Sequence, residues 1–147
     1  MSASNRTVTL DVITPLVAHE LERVVHVRFD SGDGSRGVLP GHERATAYVR
    51  EGAVTIRTLP SPRDNKDLSP RESFVATDGG TLVIGPDRLV LLTSWAAVAG
   101  DLAELAAVVR TRTAHRERLE TAARTLRARH ETALRRALVR LEREVSW

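Results

Sequence analysis

Gly34-Ser35-Arg36-Gly37-Val38-Leu39-Pro40-Gly41-His42 is an unusual piece of backbone, and the rest of the chain reads outward from it. Two glycines three apart, two apolar residues and a Pro-Gly-His corner call for sharp bends. Glycine supplies positive φ at such bends, and proline fixes φ while removing a donor. The stretch therefore predicts a tight turn, a strand of two or three residues and a second tight turn. Ser35 and Arg36 fall at the expected tip of the loop. His42, just past the second turn, is expected either as a buried structural donor or as a surface contact rather than as a catalytic group.

On the amino-terminal side the pattern has period two. Thr7 to Ile13 places Val8, Leu10 and Val12 on one face, which is an amphipathic strand ended by Thr14-Pro15. Val24 to Asp30 is a second β-rich run, with Val25, Val27 and Phe29 alternating against His26 and Arg28. Beyond His42 the alternation resumes in Ala45–Val49, Ala53–Leu59, Ser73–Thr77, Thr81–Ile84 and Arg88–Thr93. Turn signals at Glu51-Gly52, Asp78-Gly79-Gly80 and Gly85-Pro86-Asp87 separate them. The segment from Pro60 to Pro70 reads as an exposed hairpin loop. About eight to ten short strands joined in this way predict an all-β antiparallel sandwich over residues 1–99.

At Gly100-Asp101 the period changes to about 3.6. No Gly or Pro occurs from Asp101 to Trp147, and Arg, Ala, Leu and Glu dominate. Asp101 is a suitable N-cap, with Glu104 three residues on in a pattern like a capping box. Leu102, Leu105 and Val109 share a face. The apolar stripe then fails between Arg110 and Arg118 and resumes through Leu119, Leu126, Leu138 and Leu141. This predicts a helical domain over residues 100–147: a hairpin broken near Thr111 to Glu117, or else one long bent helix.

Composition narrows function more by exclusion than by assertion. The chain has 147 residues, enough for one core. It has no cysteine, so disulfides and thiolate metal sites are excluded, and its 3% aromatic content disfavours a base-stacking platform. No apolar run is long enough for a transmembrane segment, and the first residues carry no signal-peptide pattern, so a cytoplasmic location is expected. The five histidines (His19, His26, His42, His115 and His130) share no metal-ligand spacing. There is no G-x-S-x-G elbow, and Gly32-Asp33-Gly34 lacks the strand-to-helix setting of a nucleotide turn. The sequence thus predicts no catalytic residue, cofactor or metal.

Charge is uneven. Residues 1–100 carry 10 Arg, one Lys and 12 acids, for a net −1, whereas residues 101–147 carry 11 Arg and 7 acids, for a net +4. A basic tail suits an acidic partner. The interspersed acids favour a solvated helix face, with i,i+4 pairs such as Glu120 to Arg124, over a phosphate grip.

These motifs, taken in order, resemble the epsilon subunit of F-type ATP synthases. Leu10-Asp11-Val12-Ile13-Thr14-Pro15 is similar to that family's opening strand. Gly34 to His42 matches its G-x-x-G-hydrophobic-hydrophobic-P-G-H signature. Gly52 to Ile56, Gly79 to Ile84 and Val90 to Leu92 follow at the expected places, and Asp101-Leu102 matches the start of the helical domain. The tail, with Ala137 to Glu142, looks more like the epsilon-like subunit of the alternate, sodium-type N-ATPase branch.

The resemblance implies a non-catalytic rotor subunit at the cytoplasmic face of the plasma membrane, docking the gamma subunit to the c ring and coupling ion translocation to ATP synthesis or hydrolysis. It implies ring or gamma contacts near Ser35, Arg36 and His42. It also implies a regulatory helix, through Leu105, Val109, Leu119, Leu126, Leu138 and Leu141, that reaches the catalytic beta subunits and restrains hydrolysis. Some family members bind ATP through an I-D-x-x-R-A motif. Here Ala103 and Ala106 stand where its aspartate and arginine belong, so no ATP binding is expected. The competing reading is a cytoplasmic β-sandwich adaptor whose basic helix binds nucleic acid. It leaves the series of glycine motifs without a reason.

Overall fold

The computed structural model describes residues 6–61, 63 and 69–146. Among these residues nine strands precede one helix: β1 (Val8–Ile13), β2 (Ala18–Asp30), β3 (Ser35–Val38), β4 (Ala45–Val49), β5 (Gly52–Thr58), β6 (Arg71–Thr77), β7 (Gly80–Ile84), β8 (Arg88–Thr93), β9 (Ala96–Ala99) and α1 (Leu102–Val145). Hydrogen bonding runs in the order β4-β7-β8-β1-β2-β5-β6-β9, with β3 also on β2. All pairs are antiparallel except β1 with β8. The result is the expected β-sandwich followed by a carboxy-terminal helix.

The 13-residue β2 holds the two layers together. Its first half pairs with β1, from Ala18 opposite Ile13 to Val24 opposite Val8. Its second half lies between β3 and β5, with Val27 opposite Val38 on one edge and Ile56 on the other. Between the halves the register slips: Val24 and His26 face the consecutive residues Thr58 and Arg57, which makes Val25 the extra residue of a bulge. Arg23, just before it, has φ +57°. A left-handed arginine costs about 1–3 kcal/mol, and the corner between layers is where a bulge turns a strand.

The bulge corrects one detail of the alternation. Val24, not Val25, points into the core alongside Val27 and Phe29. Elsewhere the period-two faces hold. Val8, Leu10 and Val12, Val54 and Ile56, Leu82 and Ile84, and Leu89 and Leu91 are all buried in one apolar cluster. Each such side chain contributes about 1.5–3 kcal/mol by leaving water.

Two further expectations are corrected. The second strand begins at Ala18 rather than Val24. A ninth strand, Ala96–Ala99, follows Thr93 and pairs with β6. Of the two arrangements expected for the helical domain, the single long helix is the one present: α1 runs without interruption through Thr111 to Glu117. Nothing in that run interrupts backbone hydrogen bonding, and a polar segment needs no apolar stripe to remain helical when it is solvated. Most of the Pro60–Pro70 loop (62 and 64–68) lies outside the described residues.

The chain divides into two compact units, Met1–Val108 and Val109–Trp147. Within the first, Leu105 is buried against Ala76 and Ala99, with Phe74 and Trp95 around it. In the second, no described side chain is buried.

Candidate docking surfaces

The glycine-rich edge is built around β2 and β3. Asp30 faces Ser35, Phe29 faces Arg36, and Arg28 faces Gly37. The expected tip is therefore displaced: Ser35 and Arg36 stand inside β3, and the apex of the turn is Ser31 to Gly34, where Gly34 takes φ +140°. The turn is closed by its own side chains. The Gly32 amide donates to Asp30 Oδ1 at 2.8 Å, the Ser31 amide donates to the Gly34 carbonyl at 3.0 Å, and the Ser31 hydroxyl donates to the Asp33 carboxylate. Arg36 Nη2 donates to Asp33 Oδ2 at 2.9 Å. The Ser31 hydroxyl, and then the Arg36 guanidinium by hydrogen bond and charge, hold the Asp33 carboxyl below its ordinary range.

Behind the turn, Arg28 Nε donates to Ser35 Oγ at 3.0 Å, which orients the serine along the strand surface. Gly37 lies under the His26 ring, where an added Cβ would come within 2.8 Å of Nε2. Val38 is buried, whereas Leu39 is 61% exposed. The His42 amide closes the second turn on the Leu39 carbonyl at 3.2 Å, across Gly41 at φ +83°. His42 is exposed, with Nδ1 2.7 Å from the Glu43 carbonyl, so it is a surface group and not a core donor. Ser35, Arg36 and His42 are all exposed, but each already has a hydrogen-bond partner beside it: Arg28, Asp33 and the Glu43 carbonyl.

A second surface was not located by the sequence. The outer face of β4, β7, β8 and β1 carries a row that the register makes continuous: Tyr48 opposite Thr81, Thr81 opposite Leu92, Leu92 opposite Ile13, and Ile13 opposite Ala18. Val83, opposite Val90, lies in the adjoining row. Tyr48, Val83, Leu92 and Ile13 are each at least 39% exposed, and Leu16 at the β1–β2 turn is 93% exposed. The Val83 row ends in charge, where Arg88 bridges Asp11 at 2.9 Å and Glu20 at 3.1 Å. Contiguous apolar side chains on the solvent side of a sheet mark a place where another molecule sits. The signal was present in the sequence, since Val83 and Leu92 break the polar alternation of their strands.

Along α1 the residues of the expected regulatory stripe differ in kind. Leu105 is buried, whereas Leu119, Leu126, Leu138 and Leu141 are all more than half exposed and Val109 is 37% exposed. Charged neighbours flank them, with Glu120 between Arg116 and Arg124. Among the described residues, no group of His, Asp and Glu gathers as a metal site, and no helix is long and apolar enough to cross a membrane.

The beta-sandwich family model of the ATP synthase delta/epsilon chain matches residues 7–99, which is the whole run of strands from β1 to β9. The chain belongs to the ATP synthase delta/epsilon family. It is accordingly an epsilon-type subunit, a non-catalytic member of its complex. It is similar to the ATP synthase epsilon chain of Bacillus velezensis, with 30% identity over 93% of this chain and 96% of that one. It is similar also to the ATP synthase epsilon chain 2 of Cereibacter sphaeroides, with 31% identity over 93% and 90%. A chain in the mitochondrial ATP synthase of Euglena gracilis shares the fold at 16% identity and TM-score 0.50, covering 74% of this chain and 65% of that one.

Proposed function

We propose that this subunit sits in the central stalk of a rotary ATP synthase and links the gamma subunit to the c ring, at the cytoplasmic face of the plasma membrane. The observation that carries this reading is the apolar row Tyr48–Leu92–Ile13 on the outer sheet face. A rotor subunit must be gripped firmly enough to turn with its neighbours. A mixed surface of this kind, apolar in one row and ionic where Arg88 meets Asp11 and Glu20, is suited to burial against a folded partner. Gamma is the partner assigned to it. The Gly34–His42 edge, polar and bounded by tight turns, is assigned to the c ring, where the Arg36 guanidinium and Ser35 hydroxyl meet carbonyl or carboxylate groups. The sandwich, residues 1–99, thereby transmits rotation and couples ion flow to ATP synthesis or hydrolysis.

The helical domain, residues 100–147, is assigned a regulatory role. Its exposed leucines and net positive charge fit an acidic surface on the catalytic beta subunits, where a helix would obstruct hydrolysis. The test is purification of the complex with full-length subunit and with residues 101–147 deleted. The deleted complex is expected to assemble and to hydrolyse ATP faster. Equal rates would leave the helix a structural element.

The docking assignment is tested by Leu92→Asp, which places a charge in the apolar row without touching the core. Loss of gamma from the purified complex, with the sandwich still folded by circular dichroism, is the expected result. Retained gamma would move the docking surface elsewhere.

A further inference from the structure

Gly100 lies between β9 and α1, and a tail that moved as a whole would leave the sandwich there. We propose instead that the first two turns of α1, Leu102–Val108, are a permanent part of the sandwich, and that the movable tail begins at Val109. This rests on the regulatory reading above only for its consequence. The anchor itself is a property of this chain alone.

Leu105 is the one buried side chain among the described residues of a 44-residue helix. Its seat is on the outer face of β6 and β9. Ala76 and Ala99 are small enough to leave a hollow, and Phe74 and Trp95 form its walls. Phe74 and Ala99 are directly opposite in the ladder, so the floor of the seat is sheet and not loop. The Thr93 hydroxyl donates to the Trp95 carbonyl at 3.0 Å, fixing the wall at the start of β9.

The helix start is tied on both sides. The Glu104 amide donates to Asp101 Oδ1 at 2.7 Å, and the Gly100 amide donates to Glu104 Oε2 at 3.2 Å. This is the reciprocal closure of a capping box, with an aspartate as cap and the return bond taken one residue earlier than usual. The Leu105 amide donates to the Asp101 carbonyl at 3.2 Å, so the residue that fills the seat also closes the first helical turn. Moving the helix from Gly100 would break the cap and empty the seat together.

Beyond Val108 these constraints end. The compact unit that contains the sandwich closes there. The next ten residues carry Arg110, Arg112, Arg116 and Arg118 against the single acid Glu117, and from Val109 onward no described side chain is buried. A helix with like charges in its first turns, and without an apolar seat, opens locally more readily than the anchored turns before it. Redirection of the tail therefore costs least just after Val108, and the anchored turns serve as its fixed base.

Hydrogen exchange of the full chain, read residue by residue, tests this. Amides of 106–108 are expected to exchange at least about tenfold more slowly than those of 112–130, with the step at Val108–Arg112. In Leu105→Ala the step should vanish, with 106–108 joining the fast class and Trp95 emission shifting red, while β1 and β2 keep their protection. Leu119→Ala, a change in the exposed stripe, should leave the step in place. Equal exchange of 106–108 and 112–130 in the wild type would overturn the proposal, as would a step that survives Leu105→Ala. Neither outcome depends on whether deletion of 101–147 changes ATP hydrolysis, so failure of the anchor and failure of the inhibitory reading are separable.

Discussion

The Arg36 guanidinium turns back to Asp33, Nη2 to Oδ2 at 2.9 Å, instead of projecting from the glycine-rich edge. The two side chains span an i,i+3 turn and are each more than half exposed. An exposed pair of this kind contributes only about 0–1 kcal/mol to stability. Its effect is positional, since it holds a cation beside the apex of the turn. Charge reversal at Arg36 would therefore do two things, removing a cation offered to the ring and setting a second anion against Asp33.

A matched pair of variants separates these effects. Arg36→Glu should weaken c-ring association and disorder the turn, whereas Asp33→Asn should loosen the turn and leave the arginine available. If Arg36 contacts the ring, ring association falls in Arg36→Glu and persists in Asp33→Asn. Co-purification of the ring with each variant is the readout. Equal retention would remove Arg36 from the contact.

The lowered Asp33 carboxyl has a pH consequence with a definite sign. Its folded value lies below its unfolded one, so the unfolded chain binds more protons between the two and stability rises with pH there. The contribution is complete above the ordinary aspartate value, about 3.9, and is lost as pH falls through the folded value. A carboxyl NMR titration should show Asp33 titrating below the ordinary aspartate range. In Arg36→Gln the Asp33 midpoint should move up but stay below the ordinary value, because the Ser31 hydroxyl remains.

Leu91 and Leu92 are neighbours with opposite fates. Leu91 is 1% exposed and Leu92 is 46% exposed. Leu91→Ala should destabilise the sandwich by about 2–5 kcal/mol in denaturant unfolding. Leu92→Ala should change stability by less than about 0.5 kcal/mol. The order should invert for gamma association, which Leu92→Ala weakens and Leu91→Ala, where still folded, does not.

With Ala103 and Ala106 where the family's ATP motif carries aspartate and arginine, this chain is expected not to bind ATP. A ligand held by the folded state raises its stability in proportion to the logarithm of its concentration. Thermal unfolding with and without millimolar ATP should therefore give the same midpoint. A rise of several degrees would show a nucleotide site that the family motif does not describe.

Much of the fold was legible because alternation is a local signal. Val8–Leu10–Val12 and Val54–Ile56 declare their faces without reference to any partner. Ala18 to Glu22 was missed because Ala-His-Glu-Leu-Glu favours helix by composition, and only pairing with β1 makes it strand. Val24 exchanged places with Val25 because a bulge resets the phase, and no residue type announces it. Ala96–Ala99 has no alternation to read, and its strand state comes from β6. Where the stripe fails the sequence left hairpin and single helix open, and the single helix forms because a missing apolar face removes a packing partner but not backbone hydrogen bonds.

The candidate site was legible in place and not in detail. The glycines located the edge. They did not show that Ser35 is bound by Arg28 and Arg36 by Asp33, because those bonds depend on register between β2 and β3. Leu105 looked like the start of a stripe, and its role as an anchor depends on Ala76 and Ala99, from strands distant in sequence.

The central claim is that the apolar row on the outer sheet face holds this subunit to the rotor. It is tested most directly by mixing purified subunit with gamma and the c ring and measuring co-sedimentation. The wild type should sediment with both, whereas Leu92→Asp, still folded, should lose its association with gamma. Undiminished sedimentation of Leu92→Asp would contradict the account.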